Sequence, residues 1–186
     1  EPGLPPCKDC ATGKSNSQTG KTAESHCLDC HQGKYANVVG TVTCKDCETG
    51  KHQSTTGQAT CTPCEIGKYS SSLGLVECNP CQAGRWQGAT GKTECVMCNP
   101  GKYNGATGST SISVCVVCGG TTICSAAGAA SCTASPPGTF VGTGAQNKHC
   151  VGCPTGKHQD GTGTTSCKNC AAAKYADTVG NVNCKN

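Results

Sequence analysis

Apolar side chains are sparse along the chain and follow neither the period of a helix nor a long alternation. The aromatic residues instead recur at one place in successive stretches of about 17 residues, in most of them directly after a lysine or arginine. This ring position holds Tyr35, His52, Tyr69, Trp86, Tyr103, Phe140, His158 and Tyr175. Because adjacent residues of an extended strand point to opposite faces, a cation that faces water leaves its ring facing inward. We predict that the ring is the small core of each stretch and lies on a disulfide.

The stretch "GKYANVVGTVTC", residues 33–44, predicts the local structure. Gly33 ends a turn, "KYA" and "TVTC" are short extended segments, and "NVVG" is the turn between them. Each stretch is therefore a small loop resembling a β-hairpin. An isolated hairpin is only marginally stable in water, so cross-links and stacking on neighbours have to supply the remaining stability.

Composition explains how such loops can persist without a large core. Only 20 of the 186 residues are Leu, Ile, Val or Phe, whereas 21 are cysteine. Too little apolar surface can be buried to offset the entropy lost on folding, but this density of cysteine is typical of scaffolds held by cross-links or metal. The predicted fold class is small, disulfide-rich and mostly irregular with short β-hairpins, with no helix and no conventional hydrophobic core.

The cysteines define a tandem repeat with the consensus C-x-x-C-x-x-G-(K/R)-(aromatic or His)-x(4)-G-x(3)-C. Repeats begin at Cys7, Cys27, Cys44, Cys61, Cys78, Cys95, Cys115, Cys132, Cys150 and Cys167, and Cys184 opens another. Both 20-residue repeats place their extra residues after the second consensus glycine, in "GKTAESHC" and "GSTSISVC". Insertions are tolerated best at exposed loop tips, so this segment is predicted to be a surface turn.

The predicted organisation is an elongated linear array. Residues 1–6 are a linker from a preceding unit, and 7–114 hold six regular repeats. Residues 115–149 hold two irregular repeats, with the extra Cys124 and with Ser135 in place of a second cysteine. Residues 150–186 hold two regular repeats and the start of another. Both ends predict continuation, as if the chain were cut from a longer one.

Three interpretations of the C-x-x-C pairs have to be weighed. In the first, a disulfide ladder, the second cysteine of each repeat bonds to the first cysteine of the next. It predicts Cys10–Cys27, Cys30–Cys44, Cys47–Cys61, Cys64–Cys78, Cys81–Cys95, Cys98–Cys115, Cys153–Cys167 and Cys170–Cys184. Loops of this size restrict the unfolded chain by roughly 3 kcal/mol each in the entropy model.

The irregular repeats favour pairing, because one cysteine is lost at Ser135 and one is gained nearby at Cys124. The local set of four is then Cys118, Cys124, Cys132 and Cys150, for which we favour Cys118–Cys124 with Cys132–Cys150. Cys7 would pair with a cysteine upstream. In the rival scheme each pair bonds internally, as Cys7–Cys10, with Cys124–Cys132 as the repair and Cys184 left for a later partner. Zinc is the third interpretation, and the unbroken single-repeat period counts against it because tetrahedral sites use cysteines in fours.

Other chemistry finds little support in the sequence. The net charge is only +4 and no apolar run reaches a membrane span, which disfavours nucleic acid and direct membrane insertion. No Ser/His/Asp set, phosphate-binding loop or EF-hand pattern is present, and nine similar C-x-x-C motifs are unlike a redox enzyme. We expect no enzyme activity and no cofactor. The repeated cations leave acidic polysaccharide as a minority partner, and the Ser/Thr-rich loops "QSTTGQAT" and "GTGTTS" could carry O-linked sugar.

The motif "CxxCxxGKY" followed by "GxxxCxxC" resembles the ephrin-receptor-like cysteine-rich repeat, a relative in style of the tumour-necrosis-factor-receptor module. The resemblance covers nearly the whole chain and is best at Cys27–Gly40, Cys61–Gly74 and Cys95–Gly108. Long runs of this kind are similar to protist surface-coat and filament proteins, such as ciliate immobilisation antigens. The resemblance implies an extracellular or cell-surface, disulfide-bonded rod without catalytic residues.

Two functional hypotheses follow from these observations. The first is an extracellular structural protein that forms a filament, stalk or surface coat by self-association. The alternative is a ligand-binding or adhesive ectodomain of a cell-surface receptor. Near-identical repeats favour the first, since the binding units of a receptor usually diverge in their exposed loops.

Overall fold

A computed structural model of the chain describes residues 9–18, 24–124, 126–142 and 149–186. Its regular structure consists almost entirely of two-residue strands. They are β1 (Lys14–Ser15), β2 (Leu28–Asp29), β3 (Lys34–Tyr35), β4 (Lys45–Asp46), β5 (Lys51–His52), β6 (Thr62–Pro63), β7 (Lys68–Tyr69), β8 (Asn79–Pro80), β9 (Arg85–Trp86), β10 (Val96–Met97), β11 (Lys102–Tyr103), β12 (Val116–Val117), β13 (Thr122–Ile123), β14 (Thr133–Ala134), β15 (Thr139–Gly142), β16 (His149–Gly152), β17 (Lys157–His158) and β18 (Lys168–Asn169).

The strands pair in order as two-stranded antiparallel sheets, β1 with β2, β3 with β4, and so on to β17 with β18. This confirms the predicted fold class of short hairpins in a disulfide-rich repeat. The second strand, however, lies later than predicted. Lys34 pairs with Asp46 and Tyr35 with Lys45, so the partner strand follows Cys44 and is not "TVTC". The reason is the disulfide between Cys30 and Cys44, which holds the residues after both cysteines side by side.

Each hairpin is preceded by a turn that requires a positive φ. In the second repeat the Lys34 N–H donates to the His31 carbonyl at 3.0 Å, and Gly33 has φ +76°. A positive φ at the third turn residue is the requirement of a type II turn and favours glycine. We call this residue the turn glycine. Ala173 takes the same place in the tenth repeat with φ +64°, as the one non-glycine residue with a positive φ among those described.

Helical structure in the described residues is limited to two short 3-10 turns, Glu24–His26 and Ile112–Val114. Both lie in the insertions of the 20-residue repeats. Ser111 caps the second turn, because its hydroxyl accepts a hydrogen bond from the Ser113 N–H at 3.2 Å. No helix within the described ranges is long and apolar enough to cross a membrane.

The buried residues are not those that the sequence predicts. The second cysteine is buried in every regular repeat except the tenth, where Cys170 is half-buried, and Cys30, Cys47 and Cys64 have 0% exposure. The residue after the ring position is also buried: Ala36, Gln53, Ser70, Gln87, Asn104, Cys124, Val141, Gln159 and Ala176. The ring itself is only half-buried in most repeats, and Tyr175 is 52% exposed. The ring is therefore not the buried core of its repeat that the sequence predicts, because the second cysteine and the residue after the ring are the more buried side chains.

Successive repeats are joined by a recurring set of four backbone hydrogen bonds. Two involve the turn glycine, which donates to the residue after the ring of the next repeat and accepts from the second cysteine of that repeat. The second consensus glycine, which we call the late glycine, donates to the second cysteine of the preceding repeat. In the fourth bond, the residue after the late glycine accepts from the residue after the ring of the preceding repeat. Between the second and third repeats the four bonds are Gly33 N to Gln53 O (2.8 Å), Cys47 N to Gly33 O (2.8 Å), Gly57 N to Cys30 O (2.8 Å) and Ala36 N to Gln58 O (3.2 Å).

The described chain divides into two compact units. The first consists of Glu1–Cys81 with Gln87–Cys95, and the second of Gln82–Trp86 with Val96–Asn186. Within the first unit the complete set of four bonds joins each repeat to the next from the first to the fifth. Within the second unit it joins the sixth to the seventh and the eighth to the tenth. Both units are thus built by the same stacking of one loop on the next.

Candidate functional site: the disulfide ladder and its stacked loops

The structure contains every disulfide of the predicted ladder in the regular repeats. These disulfides, which we call rungs, are Cys10–Cys27, Cys30–Cys44, Cys47–Cys61, Cys64–Cys78, Cys81–Cys95, Cys98–Cys115, Cys153–Cys167 and Cys170–Cys184. Six of them span 14 residues and two, in the 20-residue repeats, span 17. Cys7 lies outside the described residues. The rungs close one loop per repeat, so cross-linking is distributed along the chain.

In three repeats the residue at the ring position lies against the rung that closes the loop of the next repeat. His52 Nδ1 is 3.3 Å from Cys78 Sγ, and His158 Nδ1 is 3.0 Å from Cys184 Sγ. In the first repeat Ser15 takes this position, with its Oγ 3.2 Å from Cys44 Sγ. The polarisable sulfur of the rung thus forms part of the surface that the side chain at the ring position contacts. Trp86 fills the same position, and its buried Nε1 has no hydrogen-bond partner among the described residues.

The buried residue after the ring closes the loop from inside, a role that the sequence analysis missed. We call it the clamp position. In the third repeat Gln53 Nε2 donates to the Thr60 carbonyl at 2.9 Å, while Gln53 Oε1 accepts from the Thr55 N–H at 3.1 Å. The same pair of bonds connects Gln87 to Glu94 and Ala89, and Gln159 to Ser166 and Gly161. Recurrent polar residues directly after the ring were the signal that could have revealed it.

The turn glycine also contacts the backbone two repeats further on. A Cβ at Gly33 would overlap the carbonyl oxygen of Gly74, and one at Gly50 would overlap that of Gly91. The late glycine in turn lies against the second residue after the first cysteine of the preceding repeat, as Gly57 lies against Asp29. At Gly33 and Gly50 two separate features therefore require glycine: the positive φ and the close approach of the backbone two repeats further on.

Four of the eight cations before the ring position form ion pairs with carboxylates of the same repeat or of the paired strand: Lys14, Lys34, Lys51 and Lys68. Lys14 Nζ lies 3.0 Å from Asp29, and Lys34 Nζ lies 2.6 Å from Asp46 across the hairpin. Lys51 donates to Glu48 at 2.7 Å, and this bond lowers the pKa of Glu48 and raises that of Lys51. Such neutralisation weakens the electrostatic case for an acidic polysaccharide, since the cations already have counter-charges.

The irregular repeats require one correction. Cys150 forms no disulfide with a described residue, so the predicted Cys132–Cys150 bond is wrong. The reason is the strand register. Thr139 pairs with Gly152, exactly as Lys34 pairs with Asp46, which places Cys150 at the rung position opposite residue 135. That residue is Ser135, which has no sulfur and is fully buried.

Cys132 lies instead with Cys118 and Cys124. Its distance along the chain from Cys118 is the 14 residues of a normal rung, and Thr122 pairs with Ala134 in the usual register. Cys118 Sγ lies at bonding distance from both Cys124 Sγ and Cys132 Sγ, and the latter two are 2.9 Å apart. The favoured Cys118–Cys124 pair is thus one of two bonds open to Cys118.

These observations define a tandem array of small disulfide-rich repeats, a module of the extracellular type. Residues 67–115 match the family model described as tyrosine-protein kinase ephrin type A/B receptor-like. The match covers about a quarter of the chain, and the same cysteine register continues on either side of it. The resemblance to ephrin-receptor-like cysteine-rich repeats is therefore confirmed. No curated protein matches the chain significantly.

Proposed function

We propose that the chain is a non-catalytic extracellular structural protein that assembles with copies of itself into a filament, stalk or surface coat. The supporting observation is the repeated junction between loops. The same four backbone hydrogen bonds join seven pairs of consecutive repeats, and a rung covalently closes the loop of each regular repeat. A binding protein needs a few specialised loops, whereas in this chain the same residues form the same contacts between successive loops in most repeats.

The uniformity extends to the choice of residues. Turn glycines, late glycines and rungs repeat without change through the third, fourth and fifth repeats, while the exposed loops between them vary. Exposed apolar residues such as Val39, Leu73 and Val179, each directly before a late glycine, give these loops surface for contacts between molecules. Sugar attached to exposed Ser or Thr would modify the same surface.

A second candidate is a ligand-binding or adhesive ectodomain, which the match to an ephrin-receptor-like family model favours. Both proposals place the protein outside the cell, where rungs persist. They differ in what the loops contact: another copy of the chain in the first case and a different molecule in the second.

Electron microscopy of native, unreduced protein distinguishes the two, together with sedimentation velocity over a concentration series. Ordered fibres or sheets, and a sedimentation coefficient that rises with concentration, are expected for a structural protein. A monomer at every concentration would contradict self-association and favour the ectodomain. Reduction provides the control, because assemblies that depend on the braced loops should be lost when the rungs are broken.

A further inference from the structure

The cysteine cluster of the seventh and eighth repeats differs from every regular rung by one added sulfur. Cys124 occupies the clamp position, directly after the ring position held by Ile123. Its Sγ lies 3.6 Å from the Ser131 carbonyl, the contact that Gln53 Nε2 makes with Thr60 in the third repeat. A thiol therefore stands in the buried space that other repeats fill with an amide, beside the rung of its own repeat.

The backbone allows Cys118 to bond with either neighbour. The Cα atoms of Cys118 and Cys132 are 5.8 Å apart, and those of Cys118 and Cys124 are 6.5 Å apart. Both separations fall inside the range that disulfides span without backbone movement. One sulfur forms only one disulfide, so the three cysteines always comprise one disulfide and one thiol when they are singly oxidised.

Burial distinguishes the two arrangements in which Cys118 is bonded; a Cys124–Cys132 bond would be a third, with the fully buried Cys118 as its thiol. Cys118 is fully buried and Cys124 is 4% exposed, whereas Cys132 is only half-buried. With a Cys118–Cys132 bond the remaining thiol is the buried Cys124. With a Cys118–Cys124 bond the remaining thiol is Cys132, which solvent reaches. The choice of bond thus decides whether the thiol is accessible to other molecules.

We propose that Cys118, Cys124 and Cys132 form a thiol–disulfide exchange site that presents Cys132 for modification by small disulfides. The Cys124 thiolate attacks Cys118 Sγ, a new Cys118–Cys124 bond forms, and the Cys118–Cys132 bond breaks with its electron pair passing to the Cys132 sulfur. The proton lost by Cys124 is replaced by one gained at Cys132. One thiol and one disulfide are present before and after, so no oxidant is consumed.

The accessible Cys132 thiolate then reacts with a small disulfide R–S–S–R. A Cys132–S–S–R bond forms and R–S⁻ leaves, so the small disulfide supplies the oxidising equivalents. Modification also preserves the Cys118–Cys124 bond, because a modified Cys132 has no thiolate with which to attack Cys118 Sγ and restore the Cys118–Cys132 bond. The 14-residue loop closed by the normal rung is replaced by a 6-residue loop, which removes the disulfide between the seventh and eighth repeats.

The test uses oxidised glutathione and peptide mapping under non-reducing conditions. In a Cys7→Ser/Cys150→Ser background, 19 of the 21 cysteines remain, and 16 of these form the eight regular rungs. The three clustered cysteines supply the single expected thiol. We expect one glutathione per chain, attached to Cys132, with Cys118–Cys124 as the accompanying disulfide. The same peptides are quantified in the unsubstituted chain, so the test does not depend on the background folding.

Cys124→Gln is the matched control, because it installs the clamp residue that other repeats use. This variant should contain Cys118–Cys132 alone and leave the Cys132 peptide free of glutathione. The proposal is overturned if the unsubstituted cluster keeps Cys118–Cys132 and takes up no glutathione, or if the label appears on Cys124. It is also overturned if the disulfide found is Cys124–Cys132, or if the three sulfurs are isolated as thiols binding one Zn²⁺, which would make the cluster a metal site.

Discussion

The regular third and fourth repeats and the irregular eighth repeat use the same backbone bonds with different covalent support. Gly74 N donates to Cys47 O at 2.8 Å in the regular region. Gly163 N donates to Ser135 O at 2.9 Å in the irregular one, although Ser135 cannot form a rung. The comparison teaches that glycines and backbone hydrogen bonds set the stacked geometry, while the disulfides reinforce it.

Gly50→Ala should break the regular region most severely. Gly50 has φ +81°, and a Cβ there would overlap the backbone of Gly91. Because backbone cannot move aside as a side chain can, we expect the free energy of unfolding to fall by more than about 4 kcal/mol. Guanidinium titration of the unreduced protein, followed by far-ultraviolet circular dichroism, measures the loss.

Gly156→Ala is the matched control for this substitution. Gly156 has nearly the same φ, +78°, but a Cβ there would meet no heavy atom within 4 Å. Only the backbone conformation is then penalised, at about 1 kcal/mol, as the tolerated Ala173 at φ +64° also indicates. Equal losses in the two variants would show that the close approach of backbone contributes nothing.

Ser135→Cys should make the irregular region resemble the regular one. The register of β15 and β16 places position 135 opposite Cys150, so a rung can form there. Closing a loop of this length stabilises by roughly 3 kcal/mol in the chain-entropy model. Peptide mapping checks that the bond exists, and guanidinium titration measures the gain.

The same substitution in a Cys150→Ser background separates the rung from the change at position 135. Without a partner, the added thiol only replaces a buried hydroxyl that accepts from the Thr164 N–H at 3.3 Å. That variant should be no more stable than the parent. A bond formed without any gain in stability would mean that the backbone stack already restrains this loop fully.

Gln53→Ala should have a smaller effect, confined to one loop. It removes the bonds from Gln53 to Thr55 and Thr60 and leaves the Thr60 carbonyl without this donor. A loss of about 1–2 kcal/mol is expected for buried hydrogen bonds of this kind. Amide hydrogen exchange of Thr55 should accelerate, whereas Gln58→Ala, at an exposed glutamine of the same loop, should leave it unchanged.

Much of this architecture could be predicted from the spacing of the cysteines. The ladder, the hairpins and the surface position of the insertions all follow from a period that each repeat shares. The period could not show that the turn glycine of one repeat contacts the late glycine two repeats later, as Gly33 contacts Gly74. That contact depends on how far the chain advances per repeat, which spacing along the sequence does not specify.

The two errors have separate physical origins. Alternation along an extended segment predicted an inward ring, but two-residue strands are too short to impose it, and Ala36 is buried in place of Tyr35. Counting cysteines predicted a Cys132–Cys150 bond, but the hairpin register places Cys150 opposite Ser135. In the second case the position of the cysteine was determined by the partner strand and not by its neighbours in sequence.

Acidification should have the smallest effect and should distinguish paired carboxylates from the rest of the scaffold. The hydrogen bond from Lys168 to Asp160, 2.5 Å long, lowers the pKa of Asp160 below its usual value of 3.8. A lowered folded-state pKa contributes stability above the unfolded pKa, and this contribution is lost as the pH falls through the folded value. Unfolding titrations at pH 7 and near pH 3 should therefore differ less in Asp160→Asn than in the parent. Because both side chains are exposed, the difference should shrink further in high salt, and a salt-independent difference would mean that another group is titrating.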